Sequence, residues 1–233
     1  MFKLHVDEGH GGADPGAVGG GMKEDDRNLA LGNEVVRIAK LQGWAVTRTR
    51  STDTFVMLSE RYAKANAEQV DVFVSIHHDW TKGRQAVIYP RNHDISKSKR
   101  LADFVNRRID PLAPTAGEIY ADRRGLAVLN GTKMPAVIVE ASRVQDSYDV
   151  KKMAAAIVQG ICDYFGVPFI LAKPTVARPP AAQVMYVTAS ALNVRTGPST
   201  RFRVVGQYKK GDVAKVVQKV GSWRKLSTGY YVH

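Results

Sequence analysis

Cysteine is almost missing from this chain: Cys162 stands alone among 233 residues. An intrachain disulfide is therefore excluded, and so is any multi-cysteine metal site. Its neighbours in IVQGICDYF are apolar at helical spacing, which predicts a buried structural thiol. Long apolar runs are missing too. Nothing approaches the roughly eighteen consecutive apolar residues of a membrane-spanning helix, and the opening MFKLHV turns polar too soon for a signal peptide. The expectation is a soluble protein made in the cytoplasm, without membrane insertion. Acidic residues are scarce in one region only. From Lys173 to His233 there are 11 Lys and Arg against one acid, Asp212, a net +10, whereas residues 1–172 hold 23 bases and 21 acids. So uneven a charge implies two modules with different partners, the second drawn to a polyanion.

What is present divides at the same place. LAKPTVARPPAAQ, residues 171–183, has Pro174, Pro179 and Pro180 among small residues and reads as a semi-rigid linker. Before it, strand-like FKLHV, WAVTRT, VDVFVSIHH, QAVIYP and PAVIVEAS alternate with helical patterns. In DDRNLALGNEVVRIAKLQG, Leu31, Val35, Ile38 and Leu41 recur at helical spacing up to a stop at Gly43. LSERYAKANAEQ predicts a helix with Ser59 as N-cap, and SKSKRLADFVNRRI and SYDVKKMAAAIVQGICDYFG predict two more. This alternation predicts an α/β fold, a mostly parallel twisted sheet with flanking helices. After the linker the apolar period becomes two and Gly, Pro, Ser and Lys turns separate short strands, which predicts a small all-β barrel. Its aromatic residues Tyr186, Phe202, Tyr208, Trp223, Tyr230 and Tyr231 are expected mostly in its core or a groove.

Open parallel sheets build their sites outside the carboxyl ends of the strands. His10 follows the first strand, His77 closes VFVSIH, and Glu140 closes AVIVE. Glu24 ends VDEGHGGADPGAVGGGMKE, a segment with seven glycines, just before the first long helix. Two imidazoles and a carboxylate suit zinc, so His10, Glu24 and His77 are candidate ligands and Glu140 a candidate general base. Each has an ordinary alternative. A histidine after a strand is commonly a hydrogen-bonded loop residue, and Glu24 stands with Asp25 and Asp26 in a first helical turn, where acids complement the dipole. His77 and Glu140 end buried-strand patterns, where an unpartnered charge is costly. A phosphate-cradling role for the glycine segment is set aside: it lacks the GxxxxGK[ST] spacing, and its carboxylates would repel phosphate.

VDEGHGGADPGAVGGGMKEDD, TRTRSTDTFVMLSERYAKAN, VFVSIHHD and PAVIVEAS, in that order, resemble the successive blocks of the zinc-dependent N-acetylmuramoyl-L-alanine amidases, over nearly all of residues 2–166. The resemblance implies one Zn²⁺ held by His10, Glu24 and His77, with Glu140 as catalytic acid/base. It departs from the family at Asp79, where asparagine is frequent, and at Glu8, where the residue is often small. Glu8 has two readings, an exposed loop residue or a neighbour of the metal ligands. His78, next to His77, is a second candidate ligand, and the motif register favours His77.

ALNVRTGPSTRFRVVGQYKKGD followed by GSWRKLSTGYYV resembles a bacterial SH3-type module. The resemblances imply a catalytic domain over 1–170, the linker over 171–183 and a wall-binding domain over 184–233. They imply hydrolysis of the amide between N-acetylmuramic acid and L-alanine in the peptidoglycan of a Gram-positive wall, with anionic wall polymers as further partners of the basic module. Without an export signal, the expected setting is that of an endolysin, monomeric, reaching the wall through a holin. Nucleic acid is not an expected partner, because the charge is confined to the tail. The alternatives are a zinc peptidase of the wall and a non-enzymatic wall-binding protein.

Overall fold

A computed structural model describes residues 1–79, 86–112, 117–170 and 183–233. The chain divides into two compact units, Met1–Leu171 and Ala172–His233. The expected proline-rich linker falls, but for Gln183, outside the described residues. No helix among those described is long and apolar enough to cross a membrane.

The first unit runs β1 (Lys3–Glu8), β2 (Val18–Gly19), β3 (Met22–Lys23), α1 (Glu24–Leu41), β4 (Ala45–Arg48), α2 (Leu58–Ala67), β5 (Val72–Asp79), β6 (Ala86–Tyr89), α3 (Ile95–Ile109), β7 (Glu118–Ala121), α4 (Ala127–Gly131), β8 (Ala136–Arg143) and α5 (Val150–Phe165). Its six-stranded sheet has the order β4-β1-β5-β8-β6-β7. All of its ladders are parallel except β6 against β8, which is antiparallel. The mostly parallel sheet is therefore present, with its last two strands reversed.

Local chemistry explains the helices. α1 carries Glu24, Asp25 and Asp26 in its first turn and Lys40 in its last, matching the macrodipole. Leu31, Val35 and Ile38 are buried as expected, but Leu41, the last residue of the helix, is 45% exposed. α2 begins at Leu58 with Met57 as the N-cap residue, so Ser59 is not the cap. The exposed Met57 backbone N–H instead donates to Glu60 Oε2 at 3.3 Å. At α5 the Asp149 carboxylate accepts from the N–H groups of Lys151 and Lys152, and Gly166 closes the helix at φ 69°. Cys162 is a buried free thiol, its pKa pushed up to about 11 by burial.

The two faces of the sheet pack differently. α1, α3 and α5 contribute Leu31, Val35, Leu101, Val105, Met153 and Ile157 to a large core over Val6, Val74, Ile76, Val137 and Val139. The short α2 and α4 cover the other face with Ala65, Val128 and Leu129 against Phe73, Ala136 and Ile138.

The second unit is an antiparallel six-stranded sheet of β9 (Gln183–Tyr186), β10 (Ala191–Arg195), β11 (Val204–Lys209), β12 (Val213–Val220), β13 (Trp223–Leu226) and β14 (Tyr231–Val232). Its order is β11-β10-β14-β13-β12-β9. Val187, Val194, Ala214, Val216, Leu226 and Val232 form its core. Of its aromatic residues Trp223 is buried, Tyr208 and Tyr231 are half-buried, and Tyr186, Phe202 and Tyr230 are exposed. The expectation of a core or groove position is met in the core by Trp223, with Tyr208 and Tyr231 half-buried, while the core is otherwise filled by short aliphatic side chains.

Candidate active site

Three strands deliver the candidate residues to one end of the sheet. β5 lies between β1 and β8, and His77 pairs in register with Glu140. His10 sits two residues beyond β1, with a left-handed backbone at φ 60°. Glu24 opens α1 after the β2–β3 hairpin turns the glycine segment back toward β1. His10, Glu24 and His77 each offer a ligand atom, and these atoms lie within 4.8 Å of one another. Glu24 Oε2 is 3.2 Å from His10 Nε2, and Glu24 Oε1 is 2.8 Å from His77 Nδ1. The four expected site residues all line one cavity of about 590 Å³.

Neighbouring groups fix these side chains. Asp14 Oδ2 takes a hydrogen bond from His10 Nδ1 at 2.8 Å, which turns Nε2 toward the cluster. Ala17 N–H donates to Glu24 Oε2 at 2.9 Å and His78 N–H to Glu24 Oε1 at 3.1 Å. Two glycines leave room: a methyl at Gly9 would overlap the His77 ring, and one at Gly16 would come within 2.6 Å of Glu24 Oε2. Buried Arg61, on α2, donates to Asp7 Oδ1 (3.0 Å) and to the carbonyls of Glu8 (2.7 Å) and His10 (2.9 Å), so it holds the strained His10 backbone. Arg50 donates to the carbonyls of Glu8, Gly9 and Asp25.

Electrostatics follow the geometry. Burial pulls the His10 pKa down, but Glu24 and Asp14 outweigh it and raise it to about 9. For Glu24 burial works upward, yet hydrogen bonds from His10 and His77 hold its carboxyl well below the usual range. Glu140 moves the other way. Burial, reinforced by Glu24 and Asp79 and opposed by His77, raises its pKa to about 7. Its Oε2 is closed off and has no hydrogen-bond partner among the described residues. The donor set of two imidazoles and a carboxylate fits a zinc ion, and Glu140 beside it suits proton transfer near neutrality.

The doubtful positions resolve through strand alternation. His78 faces away from the cavity cluster. It is buried, with Nδ1 2.7 Å from Asn28 Oδ1 and Nε2 2.7 Å from Tyr148 Oη, and burial lowers its pKa to about 3. Glu8 is not an exposed loop residue. It ends β1 fully buried, with Oε1 2.7 Å from Arg48 Nη2, because the strand continues two residues beyond the apolar stretch that marked it in the sequence. Asp79 ends β5 and lines the cavity. Sequence reasoning missed Asp14, Arg61 and Arg50. Arg61 left a signal, since it shares the buried face of α2 with Ala65.

Fold and site together define a class: an α/β enzyme that gathers two imidazoles and two carboxylates at its strand ends. Residues 4–163 match the family model described as N-acetylmuramoyl-L-alanine amidase, and residues 190–232 match that of the bacterial SH3 domain. The chain belongs to the N-acetylmuramoyl-L-alanine amidase family. It is 30% identical over 163 residues to the N-acetylmuramoyl-L-alanine amidase LytC of Bacillus subtilis, an alignment covering 66% of this chain and 32% of LytC. It is 39% identical over 150 residues to the endolysin of Bacillus phage SPP1, covering 60% and 54% respectively. The catalytic domain of the amidase CwlV from Bacillus (Paenibacillus) polymyxa superposes with a TM-score of 0.64 at 30% identity, over 72% of this chain and all of that one. The chain thus spans about a third of LytC and about half of the phage protein.

Proposed function

We propose that the protein hydrolyses the amide joining the lactyl group of N-acetylmuramic acid to L-alanine in peptidoglycan, with His10, Glu24 and His77 holding a zinc ion and Glu140 as acid/base. The observation that carries this reading is the 4.8 Å clustering of the three donors beside Glu140. Zinc on such ligands supplies a Lewis acid for the scissile carbonyl. Asp14 orients the His10 ring, and Arg61 fixes its backbone. Glu140, with a pKa near 7, accepts a proton from the attacking water and returns it to the leaving nitrogen.

In this reading residues 1–170 form the catalytic domain, 171–183 the linker and 184–233 the wall-binding domain. The C-terminal charge of +10 favours anionic polymers of a Gram-positive wall through a salt-sensitive attraction. The likeness to a phage endolysin supports a role in host-cell lysis, with release to the wall through a holin.

Digestion of purified Gram-positive peptidoglycan tests the reaction. New N-terminal alanine without new reducing sugar, lost with chelator and restored by zinc, is the expected result. New amino groups on another residue would make the protein a peptidase of the wall. Binding without any release would make it a wall-binding protein with an idle site.

A further inference from the structure

Among the described residues the cavity carries one cation that the hydrolysis leaves unused. Its described lining includes five carboxylates and two guanidiniums, those of Arg61 and Arg124. Arg61 is buried, and its donors are committed to Asp7 and to the carbonyls of Val56, Glu8 and His10. Arg124 is exposed, and its one hydrogen bond to a described residue comes from its backbone N–H.

The turn that presents Arg124 is built rather than loose. Asp122, buried at the end of β7, donates its N–H to the Tyr89 carbonyl at 2.7 Å. Its Oδ1 accepts from Arg124 N at 2.8 Å and its Oδ2 from Leu126 N at 2.7 Å. Asp122 thereby ties the turn to β6 through its backbone N–H and to the start of α4 through its buried carboxylate. Arg124 lines the same cavity as His77, Asp79 and Glu140.

A stem peptide bears carboxylates, and with Asp7 paired to Arg61 and Glu24 assigned to zinc, the cavity still presents Asp14, Asp79 and Glu140, which disfavour an acidic group that no cation meets. We propose that Arg124 binds the first free carboxylate of the stem peptide beyond the scissile amide and thereby selects acidic stems over amidated ones. The proposal rests on the amidase reading above. A guanidinium suits the task because its planar fork meets a carboxylate through two parallel hydrogen bonds, which an ammonium cannot match.

The test uses the full chain, zinc-loaded, and two N-acetylmuramoyl peptides that differ at one group. One carries D-glutamate after L-alanine, the other D-isoglutamine, and both continue through the same C-terminally amidated residue. The parent protein is expected to prefer the acidic peptide. Arg124→Gln should lower the acid-to-amide ratio of kcat/KM about tenfold, through KM, as expected for loss of a charge-assisted pair. Arg124→Lys should retain part of that ratio. An unchanged ratio in Arg124→Gln, whether both peptides slow together or neither does, would overturn the assignment. A joint slowing with a displaced pH profile would make Arg124 a partner of Glu140 instead. Cleavage of neither peptide by the parent protein would overturn the amidase reading and this assignment with it. Zinc content and thermal midpoint of each variant separate a binding effect from a folding defect.

Discussion

The two faces of the first unit's sheet use the same strands for different ends. On the α1/α3/α5 face, β1, β5 and β8 present Val6, Val74, Ile76, Val137 and Val139 to three long helices. On the α2/α4 face the alternate residues are His5, Asp7, Ser75, His77 and Glu140, with only Phe73, Ala136 and Ile138 forming an apolar patch. Full burial of a Leu or Ile side chain is worth about 1.5–3 kcal/mol, so the first face carries most of the cohesion. That surplus lets the second face hold buried polar groups whose satisfaction depends on Arg61, Ser75 and Thr49. Glu8 and His78 are the exceptions. They are ionisable residues on the helical face, placed where the strands end and the cavity begins.

The comparison can be broken first at Glu140. Glu140→Gln should lower turnover by about 10²–10⁴-fold while zinc content and thermal midpoint stay close to those of the parent, read by wall digestion, metal analysis and melting. His10→Ala should lose zinc as well as rate. Full zinc occupancy in that variant would remove His10 from the ligand set.

Next comes the opposite face. Ile157→Ala, in the core of α5, should destabilise the unit by about 2–5 kcal/mol, measured by denaturant unfolding, with kcat of the folded fraction almost unaltered. A large fall in kcat at unchanged stability would mean that the faces are not separable.

The smallest effect concerns pH, in the metal-free protein. Burial lowers the pKa of His5 to about 4 and that of His78 to about 3, from 6.5. Below pH 6.5 the unfolded chain binds protons that the folded one refuses, so stability falls as pH drops, by up to about 1.4 kcal/mol per unit for each group. His10 has the opposite sign. With its pKa raised to about 9, its contribution is complete below pH 6.5 and is lost as pH rises through 9. Glu8 and Glu140, raised by burial to about 7, oppose the two histidines between pH 5 and 6.5, so thermal midpoints should change little there and fall from pH 6.5 to 9, and His10→Gln should flatten that alkaline limb. Because zinc competes with that proton, its affinity for the parent should rise with pH over the same range.

Much of this was legible in the sequence for a physical reason. The long elements carry strong periodicity: α1, α3 and α5 each repeat an apolar face, and β5 and β8 are continuous apolar runs ending in one ionisable residue of consequence. His10, Glu24, His77 and Glu140 could be named because strand ends converge. β7 and α4 were not legible. One is a four-residue edge strand and the other a five-residue helix, too short to show a period. The partners of the site were hidden as well, because Arg61 and Asp122 act through backbone carbonyls and N–H groups that no residue pattern announces.

Gly9 bears on how the gene would tolerate change. At Gly21 an added methyl meets nothing within 4 Å, and the obstacle is only the backbone, at φ 77°. At Gly9 the obstacle is the His77 ring. A library scored for abundance would treat the two alleles alike, and one scored for peptidoglycan hydrolysis would discard alanine at position 9, where a single carbon separates a folded protein from a working one.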